Sequence, residues 1–328
     1  MKIPFTRALT AMVAVAAAAA ALAPASATAQ TYPNRPIRVV VPFSPGGGVD
    51  IYARLLANSM SGQLGQPVVV ENDAGGAGVI ALERVSKSPK DGYTLLVVSS
   101  TSISAAPNLY RKLPYKAEDF TPVALVGKFP FHVFITPGLP VRGWKEFHAY
   151  AKANPGKVNY ATTGRGSTPH LVGEMVKAAT GIEMVDVPYK GSGPALADLM
   201  AGHVQVYMDV PSPGLQHVQS GKLRVLAVLD EKRETIAPDI PTMAELGYPG
   251  LNAFNRYTLL APTGTPRAII ERLNKAAIAA MASGPLRDRQ NADGAASDPA
   301  TPEQVGAMLK TDYETWGGVI RKLGIQLD

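Results

Sequence analysis

Val39–Val40–Val41–Pro42–Phe43–Ser44–Pro45–Gly46–Gly47–Gly48–Val49–Asp50 joins a buried strand, a glycine loop and the start of a helix. Glycines at such a junction let a ligand approach backbone N–H groups that have no partner inside the helix, where the helix dipole favours negative charge. The stretch therefore predicts an anion site, although such a loop can also serve simply to reverse the chain. The helix is indicated by apolar residues at a spacing close to 3.6, namely Val49, Tyr52, Ala53, Leu56 and Met60.

A second loop, Tyr160–Ala161–Thr162–Thr163–Gly164–Arg165–Gly166–Ser167–Thr168–Pro169–His170, repeats this arrangement. A strand ends, glycine and hydroxyl residues follow, and a helix begins with Thr168 as its cap and Pro169 at its first position. Each helix start carries roughly half a positive charge. Two starts that face each other across a cleft would hold a carboxylate between them, and hydrogen bonds made only in the closed state would drive closure.

The remaining sequence alternates short β-branched runs with helical segments, which predicts an α/β fold with parallel sheets covered on both faces. Ligands bind such sheets beyond the carboxyl ends of the strands, where both glycine loops lie. The predicted strands are Arg38–Val41, Val68–Glu71, Thr94–Val98, Val123–Val126, His132–Thr136, Val158–Tyr160, Met184–Pro188, Val204–Asp209, Arg224–Val228 and Tyr257–Ala261. Predicted helices follow Gly48, Gly78, Trp144, Pro169, Gly193, Thr242, Pro266 and Pro302.

The first residues have the pattern of an export signal. Lys2 and Arg7 form a basic region, Ala8 to Leu22 are apolar, and Ala27–Thr28–Ala29 fits a cleavage site after Ala29. A membrane anchor is the alternative, but the apolar stretch is short and rich in alanine. The chain has no cysteine, which excludes disulfides, a thiolate nucleophile and a lipid-modified cysteine anchor. These features predict a free periplasmic protein.

The mature length of about 300 residues exceeds the usual size of one hydrophobic core and favours two lobes. Phe129–Pro130 and the stretch around Phe254–Arg256 have the character of crossing points between them. The predicted division is a signal peptide over residues 1–29, a discontinuous lobe 1 over 30–129 plus 256–328, and lobe 2 over 130–255.

The charge pattern argues against nucleic acid as a partner. Without Lys2 and Arg7 the formal net charge falls from +6 to +4, and the remaining basic residues are scattered without aromatic residues between them. A diffuse positive field would instead help to collect small anions.

Catalysis, metals and cofactors are not expected. Ser167, His170 and Asp209 invite a catalytic triad, but no Gly-x-Ser-x-Gly elbow is present, and Ser167 and His170 lie three positions apart at one helix start. Gly76–Ala81 fits a dinucleotide-binding pattern, yet five residues separate it from Val70 of the preceding strand and no acidic residue ends the next strand. The spacing of the five histidines, His132, His148, His170, His203 and His217, is not that of metal ligands.

The mature sequence resembles the Bug family of periplasmic solute-binding proteins, the receptors of tripartite tricarboxylate transporters, along nearly all of its length. The resemblance implies a two-lobed, Venus-flytrap fold of the periplasmic-binding-protein type, with a ligand cleft between the lobes. Its motifs in this sequence are Pro42–Phe43–Ser44–Pro45–Gly46–Gly47, Val68–Val69–Val70–Glu71–Asn72, Asp91–Gly92–Tyr93–Thr94–Leu95, Tyr150–Ala151–Lys152–Ala153–Asn154–Pro155–Gly156–Lys157, Val187–Pro188–Tyr189–Lys190–Gly191 and Ala261–Pro262–Thr263–Gly264–Thr265–Pro266.

The resemblance also implies a carboxylate ligand gripped by the two glycine loops. Asp209 matches an acidic position of the family near the cleft, and Thr101 and Ser102, which follow a predicted strand, are expected to face the same space. The residues carried over from the loops are Phe43, Ser44, Pro45, Gly46 and Gly47 on one side, and Thr162, Gly166, Ser167 and His170 on the other.

Two departures from the family pattern bear on specificity. Ser44 replaces a usual proline, and Arg256 stands where an aromatic residue is common. If Arg256 borders the cleft, its guanidinium could pair with a second ligand carboxylate; a solvated surface position is the alternative. The ligand stays open among aromatic acids, amino acids and di- or tricarboxylates.

The expected function is capture of a small carboxylate by a monomeric receptor that delivers it to membrane permease subunits. A ligand-bound sensor that engages a membrane two-component kinase is the alternative, and nothing in the sequence separates the two. An exported hydrolase is a third reading, for which the sequence offers no nucleophile arrangement.

Overall fold

This computed structural model describes residues 32–296 and 298–328. The predicted signal peptide, residues 1–29, and its cleavage site after Ala29 lie outside the described residues. Residues Arg35–Asp328 form one compact unit, to which the following description applies. Across the described ranges, no helix is long and apolar enough to cross a membrane.

Ten strands form two five-stranded sheets, on which the two lobes are built. Strands are found at all ten predicted places, with bounds that differ by a few residues. Sheet 1, in lobe 1, contains β1 (Ile37–Val41), β2 (Val68–Asn72), β3 (Thr94–Ser99), β4 (Phe120–Pro130) and β10 (Phe254–Pro262), in the order β2-β1-β3-β10-β4. Sheet 2, in lobe 2, contains β5 (His132–Ile135), β6 (Val158–Thr162), β7 (Met184–Pro188), β8 (Val206–Asp209) and β9 (Arg224–Val228), in the order β7-β6-β8-β5-β9.

Both sheets are mixed, whereas the sequence predicts parallel sheets. In sheet 1, β2, β1 and β3 are parallel, but β10 runs antiparallel to both β3 and β4. Sheet 2 repeats the pattern, with parallel β7, β6 and β8 and with β5 antiparallel to β8 and β9. The prediction of purely parallel sheets was wrong because it assigned every strand to a strand–helix–strand unit. The antiparallel strands β5 and β10 instead enter their sheets from the other lobe.

Eleven α-helices are found among the described residues. Helices follow seven of the eight predicted starts. The helices are α1 (Gly48–Leu64), α2 (Val79–Ser86), α3 (Thr101–Ser104), α4 (Ala106–Leu109), α5 (Trp144–Ala153), α6 (Thr168–Thr180), α7 (Ser192–Ala201), α8 (Pro211–Gln219), α9 (Arg267–Ala282), α10 (Pro285–Ala292) and α11 (Pro302–Leu323). Short 3₁₀ turns occur at Gly76–Gly78 and Ala117–Asp119.

The helix predicted after Thr242 was wrong, because turns occupy that stretch. Thr242 and Glu245 do form a reciprocal cap, in which the Thr242 N–H donates to Glu245 Oε2 and the Glu245 N–H donates to Thr242 Oγ1. Gly247 adopts a φ of 96°, and Pro249 follows. A left-handed residue and a proline end the turn before a helix can propagate.

The chain passes between the sheets at two places. Phe131 alone connects β4 to β5, and the return from β9 to β10 is much longer. The predicted lobe boundaries, between 129 and 130 and between 255 and 256, fall inside β4 and β10 and stay a prediction. Close to the crossing, the rings of Tyr52, Phe129 and Tyr257 pack with centroids 4.8–5.7 Å apart, so the lobe 1 wall behind the cleft is a packed aromatic cluster.

Candidate functional site

A small cavity of about 30 Å³ lies between the two sheets, beyond the carboxyl ends of their parallel strands. This volume is far below the roughly 300–1,000 Å³ of pockets that hold drug-sized ligands, so the two walls are closely apposed. Its lining comes from both lobes: Phe43, Gly47, Gly48, Val49, Asp50, Ser99, Thr101, Ser102, Asn255 and Tyr257 from lobe 1, and Thr163, Ser167, Thr168, Pro169, Ser192 and Asp209 from lobe 2.

Three helices begin at this cavity. They are α1 at Gly48, α6 at Thr168 and α7 at Ser192. Among the described residues, no side chain caps the first turn of any of the three. Their first N–H groups have no intrahelical partner and carry the positive end of each helix dipole. The cavity is therefore a candidate anion site made of backbone, and within the described structure no lysine, arginine or histidine lines it.

Two buried polar atoms in the lining have no hydrogen-bond partner among the described residues. They are Ser167 Oγ and Asp209 Oδ2, on side chains of residues that are only 8% and 4% exposed. Serine at a helix cap ordinarily accepts a hydrogen bond from its own first turn, but Ser167 does not. A buried polar atom without a partner costs on the order of 1–3 kcal/mol. Both atoms thus favour a polar ligand in the cavity.

Among the acids that line the cavity, Asp209 is the one whose pKa burial raises most strongly. Burial raises its pKa to about 7, although the Ser192 hydroxyl, the Val210 N–H and the Tyr207 hydroxyl each act to lower it. The Val210 N–H donates to Asp209 Oδ1 at 2.9 Å, and the Tyr207 hydroxyl donates to Ser192 Oγ at 2.8 Å. The second oxygen of Asp209 thus remains available to the cavity.

A group of buried hydroxyls joins the two lobes at one side of the cavity. Ser99 Oγ lies 2.8 Å from Thr101 Oγ1 and 3.0 Å from Thr168 Oγ1 of lobe 2. Ser99 also donates to Asn255 Oδ1, and Thr101 Oγ1 lies against Thr168 Oγ1. Hydroxyls both donate and accept, so this group can rearrange its hydrogen bonds when the lobes separate.

The first glycine loop is held in shape by Asp50. The Gly46 N–H donates to Asp50 Oδ2 at 3.0 Å, Asn72 donates to Asp50 Oδ1 at 2.8 Å, and Arg54 donates to Oδ2 at 3.0 Å. Burial raises the pKa of Asp50, but these hydrogen bonds outweigh it, and the pKa lies below its ordinary value. Asp50 is therefore an ionised structural group, and its charge is already neutralised by Arg54.

Glycines allow the lobes to approach this closely. A Cβ on Gly193 would lie 2.5 Å from the Pro45 carbonyl oxygen, and one on Gly191 would lie 2.9 Å from the Ser44 nitrogen. Beside them, the Ser44 N–H donates to the Lys190 carbonyl oxygen at 2.9 Å. The first loop and the start of α7 thus meet backbone to backbone, which residues with larger side chains would prevent.

A second contact between the lobes lies behind the cavity. Arg289 of α10 donates to Ser212 Oγ of lobe 2, and its Nε lies 2.7 Å from Asp293 Oδ2. The Tyr52 hydroxyl donates to the same Asp293 oxygen at 2.8 Å. This chain connects α1, which carries the first loop, to the start of α8 in lobe 2.

The structure brings together six of the residues predicted for the site. Five more of the predicted residues do not line the cavity but lie in or beside the two glycine loops, where, for example, the Gly166 N–H donates to His170 Nδ1 at 3.3 Å. Burial lowers the pKa of His170, in keeping with an accepting, neutral ring. The six are Phe43, Gly47, Thr101, Ser102, Ser167 and Asp209, and the five are Ser44, Pro45, Gly46, Gly166 and His170. Ligand contacts for all eleven stay predictions.

The side chains of Thr162 and Arg256 do not line the cavity, because successive side chains of a strand point to opposite faces. Thr162 is fully buried at the end of β6, and its neighbour Thr163 lines the cavity instead. Asn255 and Tyr257 line it from β10, so the intervening Arg256 points to the other face of the strand. There its guanidinium pairs with Asp312 at 2.6 Å. A ligand contact for Arg256 stays a prediction that this arrangement does not support.

The start of α7 is the part of the site that the sequence reasoning missed. Val187–Pro188–Tyr189–Lys190–Gly191 leads from a strand through a glycine into a helix, the same signal used for the two predicted loops. It places Ser192 at the cavity. Applying that criterion a third time would have found it.

Comparison with known proteins shows the family of this chain. The profile described as "Tripartite tricarboxylate transporter family receptor" matches residues 52–325. Protein BugT of Bordetella pertussis is 41% identical over 302 residues, which cover 92% of this chain and 93% of BugT.

Two ligand-bound structures share the fold. Rpa4515 from R. palustris with adipate has a TM-score of 0.86 and 34% identity, covering 90% of this chain and 99% of that one. MatC (Rpa3494) from Rhodopseudomonas palustris with bound malate has a TM-score of 0.84 and 32% identity, covering 88% of this chain and 100% of that one. These matches confirm the two-lobed α/β fold and the resemblance to the Bug family. The chain belongs to the receptor family of tripartite tricarboxylate transporters, a family of solute-binding receptors.

Proposed function

We propose that the chain is an exported periplasmic receptor that captures a small dicarboxylate between its lobes and presents the closed complex to a membrane permease. The observation that carries this proposal is the convergence of three uncapped helix starts on one cavity that also holds two unpartnered buried oxygens. Backbone N–H groups at helix starts bind carboxylates without needing a cation.

The ligand class rests on the site together with the relatives. Adipate and malate, bound in two structures that share this fold, are both dicarboxylates. One ligand carboxylate would take the helix starts of α1 and α6, and the other end of the ligand would reach the wall formed by Asn255, Tyr257 and Asp209. Because that wall carries the side chains, it would set which dicarboxylate binds.

Binding would require the lobes to separate and close again. A cavity of about 30 Å³ holds little more than a water molecule, so a dicarboxylate enters only when the glycine contacts between the first loop and α7 are opened. The contacts between Ser44 and Lys190 and between Ser99 and Thr168 would re-form around the ligand. The closed surface so produced would be what the permease recognises.

The first experiment is native mass spectrometry of the purified mature protein, followed by a thermal-shift screen of mono-, di- and tricarboxylates and aromatic acids. A ligand at a hundred times its Kd adds about 2.7 kcal/mol of stability, which gives a clear shift. We expect malate- or adipate-like diacids to stabilise the protein and Ser167→Leu to abolish the shift. Ser283→Leu, at an exposed position far from the lining residues, is the matched control.

The permease role is tested in cells of the source organism that lack the gene. Uptake of the labelled dicarboxylate should be lost, then restored by the wild-type gene but not by the Ser167→Leu variant. Stabilisation by no carboxylate, in protein without a co-purified ligand, would refute the receptor proposal. Normal uptake combined with lost transcriptional induction would refute the permease role and favour the kinase partner.

A further inference from the structure

The Asp209 carboxyl holds an unusual position for a group facing an anionic ligand. It is 4% exposed, lines the cavity, and its Oδ2 has no hydrogen-bond partner among the described residues. Oδ1 is occupied by the Val210 N–H at 2.9 Å. Whatever enters the cavity beside Asp209 therefore meets one free carboxyl oxygen.

The groups that face Asp209 do not neutralise a charge on it. His132 is its register partner on β5, but the His132 Nε2 lies 2.6 Å from Glu234 Oε2, so that ring is already engaged with another carboxylate. Three of the remaining neighbours are hydroxyls, on Tyr207 of β8, Ser192 of α7 and Tyr257 of β10. The fourth is the Asp50 carboxylate of α1, which is already paired with Arg54.

An ionised Asp209 and a ligand carboxylate would repel each other in this buried space. Two carboxylates that share a site of low dielectric constant keep a proton between them, because like charges cannot both ionise there. Burial already raises the pKa of Asp209 to about 7 before a ligand adds its own charge. A neutral carboxyl, by contrast, has one O–H to donate.

We propose that Asp209 holds the ligand as a neutral carboxylic acid, with its Oδ2–H donating to a ligand carboxylate oxygen, so that capture of the anion takes up one proton from solvent. The inference rests on the proposed function and adds its proton dependence. No bond to carbon changes: the proton comes from water or buffer, remains on Asp209 in the complex, and returns when the ligand leaves.

This assignment has a consequence for specificity. An ionised carboxylate at this place would select a ligand ammonium group, as in an amino acid, because it can only accept hydrogen bonds. The neutral acid selects a carboxylate oxygen and leaves an ammonium without its counter-charge. The receptor should therefore prefer a plain or hydroxylated diacid to the amino diacid of the same length.

Calorimetric titration with malate and adipate, in two buffers of different protonation enthalpy, counts the protons taken up. Wild-type protein should take up nearly one proton per ligand at pH 8, and its Kd should rise roughly fifty-fold between pH 7 and pH 9, as the free carboxyl ionises. In Asp209→Asn, whose amide donates a hydrogen bond at every pH, proton uptake should be zero and Kd independent of pH. Asp198→Asn, an exposed acid on α7, should keep the wild-type slope and proton count.

The outcomes separate this inference from the proposed function. Dicarboxylate binding without proton uptake, or a pH slope that survives in Asp209→Asn, overturns the role of Asp209 and leaves the receptor intact. Tighter wild-type binding at higher pH, or a preference for aspartate over malate, shows an ionised Asp209 and also overturns it. Failure of both diacids and of the wider carboxylate screen to bind refutes the proposed function, and the inference with it.

Discussion

Replacement of Gly193 by alanine tests whether the arrangement described here is the ligand-bound one. Gly193 lies in the first turn of α7, and its backbone has no φ that excludes a side chain. Helix propensity favours alanine over glycine by up to about 1 kcal/mol, but Pro194 follows directly and disfavours a helical residue that carries a Cβ. Because these two effects oppose each other, we expect lobe 2 to keep its fold, which urea unfolding of the variant without ligand checks.

The substitution should destabilise the closed form, in which the first loop contacts α7. The new Cβ would lie 2.5 Å from the Pro45 carbonyl oxygen, and an ordinary contact of about 3.4 Å requires the first loop and α7 to move apart by roughly 0.9 Å. Overpacking of this kind costs about 1–3 kcal/mol. Because the penalty applies only to the closed form, ligand affinity should fall about 5- to 150-fold.

The assay is calorimetric titration with the dicarboxylate that stabilises wild-type protein most, combined with small-angle scattering of the ligand-bound form. Gly193→Ala should bind more weakly and retain a larger radius of gyration with ligand. Gly62→Ala, which places the same methyl group on α1 where nothing lies within 4 Å, is the matched control and should bind normally. Equal affinity in wild type and Gly193→Ala would refute the assignment of this interface to the bound state.

Three further expectations follow from the described contacts. Ser167→Ala should weaken ligand binding about fivefold in calorimetric titration and should not lower stability in urea unfolding, since its hydroxyl has no partner in the described protein. Asp312→Asn should cost about 1 kcal/mol in urea unfolding, because it weakens the hydrogen bond from Arg256 but also removes a charge whose burial raises the pKa of Asp312. Asp209 keeps its proton in the folded protein after the unfolded chain has lost it, so the contribution of Asp209 to wild-type stability should fall from pH 4 to pH 7. Asp209→Asn should remove that fall and gain at most about 4 kcal/mol at pH 7.5 by the same assay; an identical pH profile would contradict the raised pKa.

Local sequence signals predicted much of this fold because each reports physics that acts within a few residues. The run Val39–Val41 followed by glycines, and Thr168–Pro169 before an apolar helical pattern, specify a strand end and a helix start without help from the rest of the chain, although the cap position is Ser167 and not the predicted Thr168. The strand direction of β5 and β10 depends on how the chain crosses between lobes. The crossing points were predicted near Phe129 and Phe254, but no local pattern gives the direction in which a strand joins the next sheet after a crossing, so the sequence predicted parallel sheets.

Prediction of the site residues from sequence is limited in the same way. Ser167 and Asp209, which were predicted for the site, line the cavity, and a ligand contact for either stays a prediction. Arg256 was placed there by comparison of residue types, but its side chain follows the two-residue alternation of β10 away from the cavity. Knowing which of two faces a strand turns to a cleft requires the register of its neighbours, here Tyr257 opposite Ser99.

The three helix starts at the cavity also bear on how such a receptor could acquire new ligands. In the proposed function, affinity for the carboxylate would come from main-chain amides, which every residue except proline supplies and which most side-chain substitutions do not remove. Selectivity would then depend on a few side chains in the facing wall, such as Asn255 and Tyr257. A single substitution there could change which diacid binds, while the backbone amides continue to bind the carboxylate. Duplicated genes of this type could therefore diverge in ligand without passing through an intermediate that binds nothing.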